Sequence, residues 1–290
     1  MEMQVPEECY KIIADSLIET GFIGKVSKEN VVGLSRHYLD SERLKEQIAL
    51  IEDYVEIQGN FLEVGSGFGG LVTYINNYFS DKCTAIGIEP SADSYKGTMA
   101  CTKVLAAANN IQNRFIAAQG EGLPFKSNSF DIVYSTSVLE HVLDPSRVIA
   151  ESLRILKRGG IFQFVVPNYG SWWEGHYGIL FFPHMPKWLF KLYVKILGRD
   201  PEFVDTLQFT TRKKMKKILL PLQNSIEILS WGEDVFEERL LSLEFSEWAS
   251  LGILKRWVGI LHKLKLVRIV VLLSRIFHWE TPFVLTIRKT

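Results

Sequence analysis

A doubly wound α/β fold, in which crossover helices flank a parallel sheet, is predicted by three features of the chain. Short apolar runs recur between residues 59 and 168, each closed by Gly, Asn, Asp or Pro. A helix-length segment follows each run, and a glycine-rich loop joins the first run to its helix. The runs are Asn60–Val64, Thr84–Ile88, Arg114–Ala118, Phe130–Ser135 and Ile161–Val166. Two later strand candidates, Ser225–Trp231 and Pro282–Arg288, bring the expected sheet to seven strands.

The elements around this core read as helical. In the lead-in, residues 1–58, apolar side chains have helical spacing over Pro6–Thr20 and over Asp40–Val55, where they are Leu44, Ile48, Ile51 and Val55. Asp40 or Ser41 can cap the second of these. After the α/β core at 59–168, an aromatic stretch from Tyr169 to Tyr193 and a helix beginning near Thr210 or Thr211 suggest a cap over 169–224. Residues 225–290 read as the returning strands of the sheet with basic amphipathic helices inserted between them.

Charge and cysteine content narrow the function classes. The chain of 290 residues balances 33 Lys and Arg against 33 Asp and Glu, so no general attraction to nucleic acid is expected. The charge is uneven along the chain: residues 1–60 hold 12 acidic and 6 basic side chains, residues 246–290 hold 2 and 8. Cys9, Cys83 and Cys101 are widely separated and lack Cys or His neighbours at ligand spacing, which supports neither a disulfide framework nor a zinc site, and no metal is expected. An acidic start without an apolar run, and no stretch of ~18–20 uncharged apolar residues, argue against export or a transmembrane anchor. A reducing cytoplasmic setting is expected, with association at the inner face of a membrane left open.

The chemistry concentrates at the first strand. Phe61-Leu62-Glu63-Val64-Gly65-Ser66-Gly67-Phe68-Gly69-Gly70 is a buried strand entering a glycine loop, with a helix starting near Leu71. Glycines permit the sharp turn and close ligand approach, and the free amides at the helix start suit a nucleotide-like ligand. The second strand ends in Gly87-Ile88-Glu89-Pro90-Ser91, where the Glu89 carboxylate can accept from both hydroxyls of a ribose. These two features fit a nicotinamide dinucleotide as well as an adenosyl cofactor. Glu63, two residues before Gly65, separates them: a carboxylate there suits a cationic ammonium and would repel a pyrophosphate.

Downstream come Gln119-Gly120-Glu121-Gly122-Leu123-Pro124-Phe125, then Ser129-Phe130-Asp131, Leu139-Glu140-His141 and Leu156-Lys157-Arg158-Gly159-Gly160. In this order, with the glycine loop and Glu89, the blocks resemble the class I methyltransferases that use S-adenosylmethionine (SAM), in particular the methyltransferase type 11 family. The likeness covers roughly 59–168 and implies a Rossmann-like fold, SAM as cofactor and methyl transfer as the activity. By position it implies a cofactor site of Glu63, Gly65, Ser66, Gly67, Gly69, Glu89, Pro90, Gln119, Gly120, Glu121, Ser135, Thr136 and His141. Gln119 stands where the family often has Asp; its amide oxygen can still accept from an adenine amino group, a role Glu121 could share.

On the acceptor side, His176 is the preferred proton acceptor and His141 a second candidate, each weighed against a purely structural role. Asn168, Trp172, Trp173, His176 and Tyr177 follow the fifth strand, where a doubly wound sheet opens onto its ligand crevice, and are taken as substrate-binding. His184 reads as a loop residue. The basic run Arg212–Lys217 at a helix start opposes the helix dipole, which suits a phosphate-bearing acceptor or lipid head group, or a solvated face. The basic and apolar stretch 251–277 suits a helix lying on an anionic membrane, against packing within the protein or on a second subunit.

The expected activity is methyl transfer to a small-molecule, glycan or lipid-linked acceptor, at oxygen. The segments Glu174–Tyr177 and Leu197–Pro201 are similar to those of bacterial methyltransferases of surface-polysaccharide assembly. A nicotinamide-dependent oxidoreductase and a non-catalytic SAM-binding scaffold are the competing readings. Oligomeric state is left open.

Overall fold

Nine strands and twelve helices are defined in the computed structural model, which describes residues 2–19, 28–90, 97–242 and 252–290. Thr20, Ser91 and Leu251, each at the edge of a segment singled out above, lie outside the described residues. Seven strands form one sheet, in the order Phe115–Ala117, Cys83–Glu89, Gly59–Val64, Phe130–Thr136, Leu156–Val166, Phe283–Lys289 and Ile226–Ser230, as the count of apolar runs predicts. The chain divides into two compact units.

The first unit comprises Met1–Thr136, Asp144–Gln163 and Ile287–Thr290. It begins with α1 (Glu7–Glu19), α2 (Lys28–His37) and α3 (Ser41–Glu52). Asp40 is the cap of α3, its carboxylate accepting from the Arg43 amide at 3.1 Å, and Leu44, Ile48 and Ile51 face inward. That helix stops at Glu52 rather than Val55, because Asp53, Tyr54 and Val55 turn back onto the carbonyls of Ala49 and Ile51.

β1 (Gly59–Val64), α4 (Gly70–Tyr78), β2 (Cys83–Glu89), α5 (Thr98–Ala108), β3 (Phe115–Ala117), β4 (Phe130–Thr136), α6 (Pro145–Ile155) and β5 (Leu156–Val166) follow. β1 pairs in parallel with β2 and with β4, and β2 with β3. Central β1 is buried on both faces from Phe61 to Val64, which explains why it reads as a continuous apolar run broken only by Glu63. Each fully buried apolar side chain such as Phe61 or Leu62 contributes ~1.5–3 kcal/mol of transfer free energy. β5 starts five residues earlier than the apolar run suggests, so Leu156–Gly160 is strand. The register of β1 is tied at its start, where Asp131 accepts from the Asn60 amide at 2.8 Å and pairs with Lys157.

The lead-in is part of this unit rather than a separate piece. Gln163 donates to the Leu50 carbonyl, and α1 lies against α5 with Cys9 and Cys101 in contact through sulfur and backbone. These cysteines, 92 residues apart, are neighbours in space, and both are free buried thiols.

The second unit comprises Ser137–Leu143 and Phe164–Thr286. It contains the two-stranded β6 (Trp173–Glu174) and β7 (Ile179–Leu180), then α7 (Lys187–Ile196), α8 (Phe203–Thr206), α9 (Arg212–Leu219) and β8 (Ile226–Ser230). α10 (Glu233–Ser242), α11 (Gly252–Lys263), α12 (Val267–Phe277) and the start of β9 (Phe283–Lys289) complete it. The expected helix near Thr211 forms, with the Thr211 hydroxyl accepting from the Lys214 amide. The aromatic stretch builds its own core: Tyr169, Phe181, Phe190, Val194, Val204 and Leu207 are buried together, with Phe209 stacked on Tyr169. Phe181 and Phe190 are therefore cap core, whereas Phe182 and Trp188 are exposed.

Candidate active site

Within the first unit, the turn after β1 places backbone amides and two carboxylates together. Gly65, Gly67 and Gly69 all adopt positive φ, 75°, 51° and 85°. A side chain at Gly67 would meet no atom within 4 Å, so this backbone is open toward a ligand, whereas at Gly69 it would strike Phe115 and Thr102 at 2.9 Å. β2 crosses the loop so closely that a Cβ at Gly87 would lie 2.7 Å from the Ser66 side chain. The glycines thus serve different ends: Gly87 and Gly69 for packing, Gly67 for approach.

Glu89, at the C-terminal end of β2, is only 8% exposed and accepts from the Gly67 amide at 2.9 Å. Burial raises its carboxyl above the usual range, opposed by that bond and one from Thr98. Glu63 is 4% exposed. Its carboxyl lies well above the ordinary range because of burial and then the charge of Glu89, opposed by a bond from the Val72 amide. The Oε2 atom of Glu63 and the hydroxyls of Ser66 and Ser135 are buried with no protein partner. Orphaned acceptors and hydroxyls around an open glycine turn are what a cofactor with an ammonium group and a ribose would satisfy, so these residues fit SAM.

The remaining expected cofactor residues divide. Ala118 donates to the Glu89 carbonyl, which holds the following Gln119-Gly120-Glu121 turn beside the end of β2. Gln119 is exposed, and Gly120 is packed so tightly against Val64 and Val148 that its Cβ would approach them at 3.2 Å. Glu121 is tied to the start of α6, its backbone carbonyl accepting from Arg147 at 2.7 Å. Pro90 and Thr136 are partly exposed at strand ends.

In the second unit, two pairs of side chains, Glu140 with His141 and Glu174 with His176, converge across more than thirty positions of sequence. His176 donates from Nδ1 to Glu174 Oε1 at 2.6 Å, and its Nε2 lies 3.3 Å from Nε2 of His141. Glu174 is fully enclosed and also accepts from the Tyr177 amide at 2.7 Å and the Tyr169 hydroxyl at 3.3 Å. Glu140 is 0% exposed, with one oxygen 3.9 Å from His176 Nε2 and neither oxygen hydrogen-bonded. Phe203 packs against both imidazoles.

The electrostatics follow from this crowding. Burial opposes a charged His176, but the charge and hydrogen bond of Glu174, with Glu140, outweigh it and raise its pKa. His141 is depressed to about 3 by burial and by His176. Burial pushes Glu140 up to about 7 against the pull of His176. His141 and His176 were both expected here; Glu140 and Glu174 were not, although each adjoins or nearly adjoins one of the histidines in sequence.

The other expected substrate residues have varied surroundings. Asn168 is a strut: its amide donates to the carbonyls of His278 and Glu280, and its oxygen accepts from Gly170. Trp173 is buried with Leu240, Val258, Val267 and Val271, whereas Trp172 is exposed and edge-on to Phe182 and Trp279. Tyr177 donates its hydroxyl to the Asp200 carbonyl. His184, at φ 63°, donates its amide to Tyr169, as a loop residue should. The first member of the basic run is not available to a ligand in the way its position suggests: Arg212 is bound to Glu280 at 2.9 Å and to Glu233, over the Trp231 ring.

Comparison with known proteins agrees with the first unit. Residues 62–164 match a family model described as a methyltransferase domain. An uncharacterized methyltransferase of Mycobacterium tuberculosis is 36% identical over 112 residues, 38% of this chain and 39% of that one. Norajmaline N-methyltransferase of Rauvolfia serpentina is 26% identical over 102 residues, 34% and 33% of the two chains. The match thus spans less than half of these relatives' length. A geranyl diphosphate C-methyltransferase from Streptomyces coelicolor, solved with S-adenosyl-L-homocysteine, shares the fold with a TM-score of 0.53 at 14% identity, over 92% of this chain and 85% of that one. The glycine turn, the paired carboxylates Glu63 and Glu89, the strand order and the family match together make residues 62–164 a class I SAM-dependent methyltransferase domain.

Proposed function

We propose that this protein transfers the methyl group of SAM to an oxygen of a small-molecule, glycan or lipid-linked acceptor, in surface-polysaccharide assembly. The observation that carries the oxygen assignment is the Glu174–His176 pair. With Nδ1 donating to a carboxylate, a neutral His176 keeps its lone pair on Nε2, the arrangement of a base oriented by an acid. Bound SAM supplies an electrophilic methyl on a sulfonium. Glu63 would hold its ammonium, Glu89 its ribose, and His176 would take the proton of the acceptor hydroxyl. The test is incubation with methyl-labelled SAM and hydroxyl-bearing glycans and lipid-linked sugars, with product analysis by mass spectrometry. His176→Ala should lower kcat by ~10²–10⁴-fold. Methylation at nitrogen or carbon, or full activity in the variant, would overturn the oxygen assignment.

We also infer a peripheral contact with an anionic membrane through α11 and α12, which suits a lipid-linked acceptor. No helix among the described residues is long and apolar enough to cross a bilayer. Val258, Val267 and Val271 face inward, while Trp257, Leu264, Ile269, Leu272 and Ile276 stand exposed. Exposed Arg256, Lys263, Lys265 and Arg268 lie among them, and residues 252–279 contain no acid. A second copy laid on the same face would oppose like charges; anionic lipid complements them. Sedimentation with vesicles containing phosphatidylglycerol, but not with neutral phosphatidylcholine vesicles, is expected, and Leu272→Asp with Ile276→Asp should abolish it. Equal binding to both vesicles, or none, would refute the contact.

A further inference from the structure

We propose that Glu140, His141 and His176 form a site for a divalent first-row transition cation, with Glu174 orienting His176 from behind. No sequence pattern announces it, since the ligands come from the segment after β4 and from the loop after β6. The geometry does. The two Nε2 atoms are 3.3 Å apart, Glu140 Oε1 is 3.9 Å from His176 Nε2, and the three ligand atoms all lie within 4.8 Å of one another. Ligands bound at ~2.0–2.2 Å in a tetrahedral site are ~3.4 Å apart, so small side-chain shifts complete the arrangement.

Two further observations favour an ion over a simple imidazole–imidazole hydrogen bond. Such a bond would account for the histidines but leave both oxygens of Glu140, at 0% exposure, without a hydrogen bond and with His176 3.9 Å away, a costly setting for a carboxylate. A cation supplies the counter-charge. The carboxylate behind His176 is also what metal-bound imidazoles commonly have: Glu174 fixes the ring through Nδ1 at 2.6 Å and is itself held by Tyr177 and Tyr169. Two histidines and one carboxylate are the protein ligands of catalytic zinc sites and of some iron sites, both of which keep a position open. The proton-acceptor role proposed above for His176 belongs to the ion-free site; in the ion-bound site its Nε2 is coordinated and its part is to hold the ion.

The test is chelator-stripped protein titrated with Zn²⁺ by calorimetry and with Co²⁺ by visible absorption, without any acceptor. One ion per chain and the absorption bands of a four- or five-coordinate Co²⁺ site are expected. Glu140→Gln, His141→Gln and His176→Gln should each weaken binding at least ~10-fold, and Glu174→Gln by ~10–100-fold. Far-ultraviolet circular dichroism and an unchanged melting temperature of the metal-free protein establish that each variant is folded. Absence of stoichiometric binding by the unaltered protein, or unchanged binding in Glu140→Gln and His176→Gln, would overturn the site. Because no acceptor enters the measurement, absent metal binding leaves the methyl-transfer reading standing, and failure to find an acceptor leaves a positive metal result standing.

Discussion

Glu89 offers the sharpest perturbation of the cofactor side, because a single carboxylate both holds the glycine turn and is the group proposed to bind the cofactor ribose. It is 8% exposed, and its Oε2 already accepts from the Gly67 amide at 2.9 Å. A ribose diol would add two hydrogen bonds to a charged acceptor, each worth ~1.5–3 kcal/mol. Removing both in Glu89→Ala should therefore cost ~3–6 kcal/mol, a ~10²–10⁴-fold loss of SAM affinity. Part of that loss is indirect, through the freed Gly67 amide. Glu89→Gln keeps an oxygen of the same reach but loses the charge, so ~10–100-fold weakening is expected from one charged bond's worth. The assay is calorimetric titration with SAM and S-adenosylhomocysteine, with NAD as the control ligand. Burial already disfavours the Glu89 carboxylate, so the variants should melt within a few degrees of the unaltered protein. SAM affinity within ~3-fold of the unaltered protein in Glu89→Ala would refute the reasoning, since no charged bond is that weak. So would NAD binding without SAM binding.

Other outcomes follow from the same unit and from its neighbour. Burial and Glu89 hold the Glu63 carboxyl well above its ordinary range, so its protonated form favours the fold. That contribution is complete below the unfolded carboxyl's pKa and is lost as pH rises through the raised folded value. An ammonium bound there would pull the value down, so SAM binding should release protons in that window, measured by calorimetry in buffers of different ionisation enthalpy; equal release in Glu63→Gln would count against the pairing. Gly69→Ala, at φ 85° with contacts of 2.9 Å to Phe115 and Thr102, should lose ~2 kcal/mol and melt several degrees lower. Gly67→Ala meets no atom but places a side chain at φ 51°, so it should lose only the ~1 kcal/mol of that strain while binding SAM less well, and the reverse order of melting would contradict the packing described. Arg212→Met strands Glu280, which is 1% exposed, and should cost ~3–5 kcal/mol in chemical denaturation. Adding Glu280→Gln should restore part of that, and no restoration would argue against a pairing role.

Much of the first unit was legible because its signals are local. A strand buried on both faces must be apolar along its length, and the loop after it must bend where ordinary side chains cannot; Phe61–Gly70 carries both marks in one stretch. Glu63 and Glu89 stand out because each is a charge at the edge of an apolar run. Less legible were the boundaries. Leu156–Gly160 has strand geometry despite two glycines and two basic residues, because its neighbours in the sheet supply the partners. Asn168 and Arg212 look like ligand-seeking groups in sequence, yet their partners, Glu280 and His278, lie about 70 to 110 positions away.

The sequence by itself determined the parallel-sheet core, the glycine turn and the carboxylates Glu63 and Glu89 beside it, since periodicity, turn chemistry and charge placement act over a few residues. Tertiary structure alone decided which polar groups meet. It set Cys9 beside Cys101, enclosed Glu140 with neither oxygen hydrogen-bonded, and brought Glu174, His176 and His141 into one line. The physical reason is that a buried charge or imidazole is defined by what surrounds it within ~4–6 Å. Chain separation carries no information about that distance once the backbone has folded back on itself.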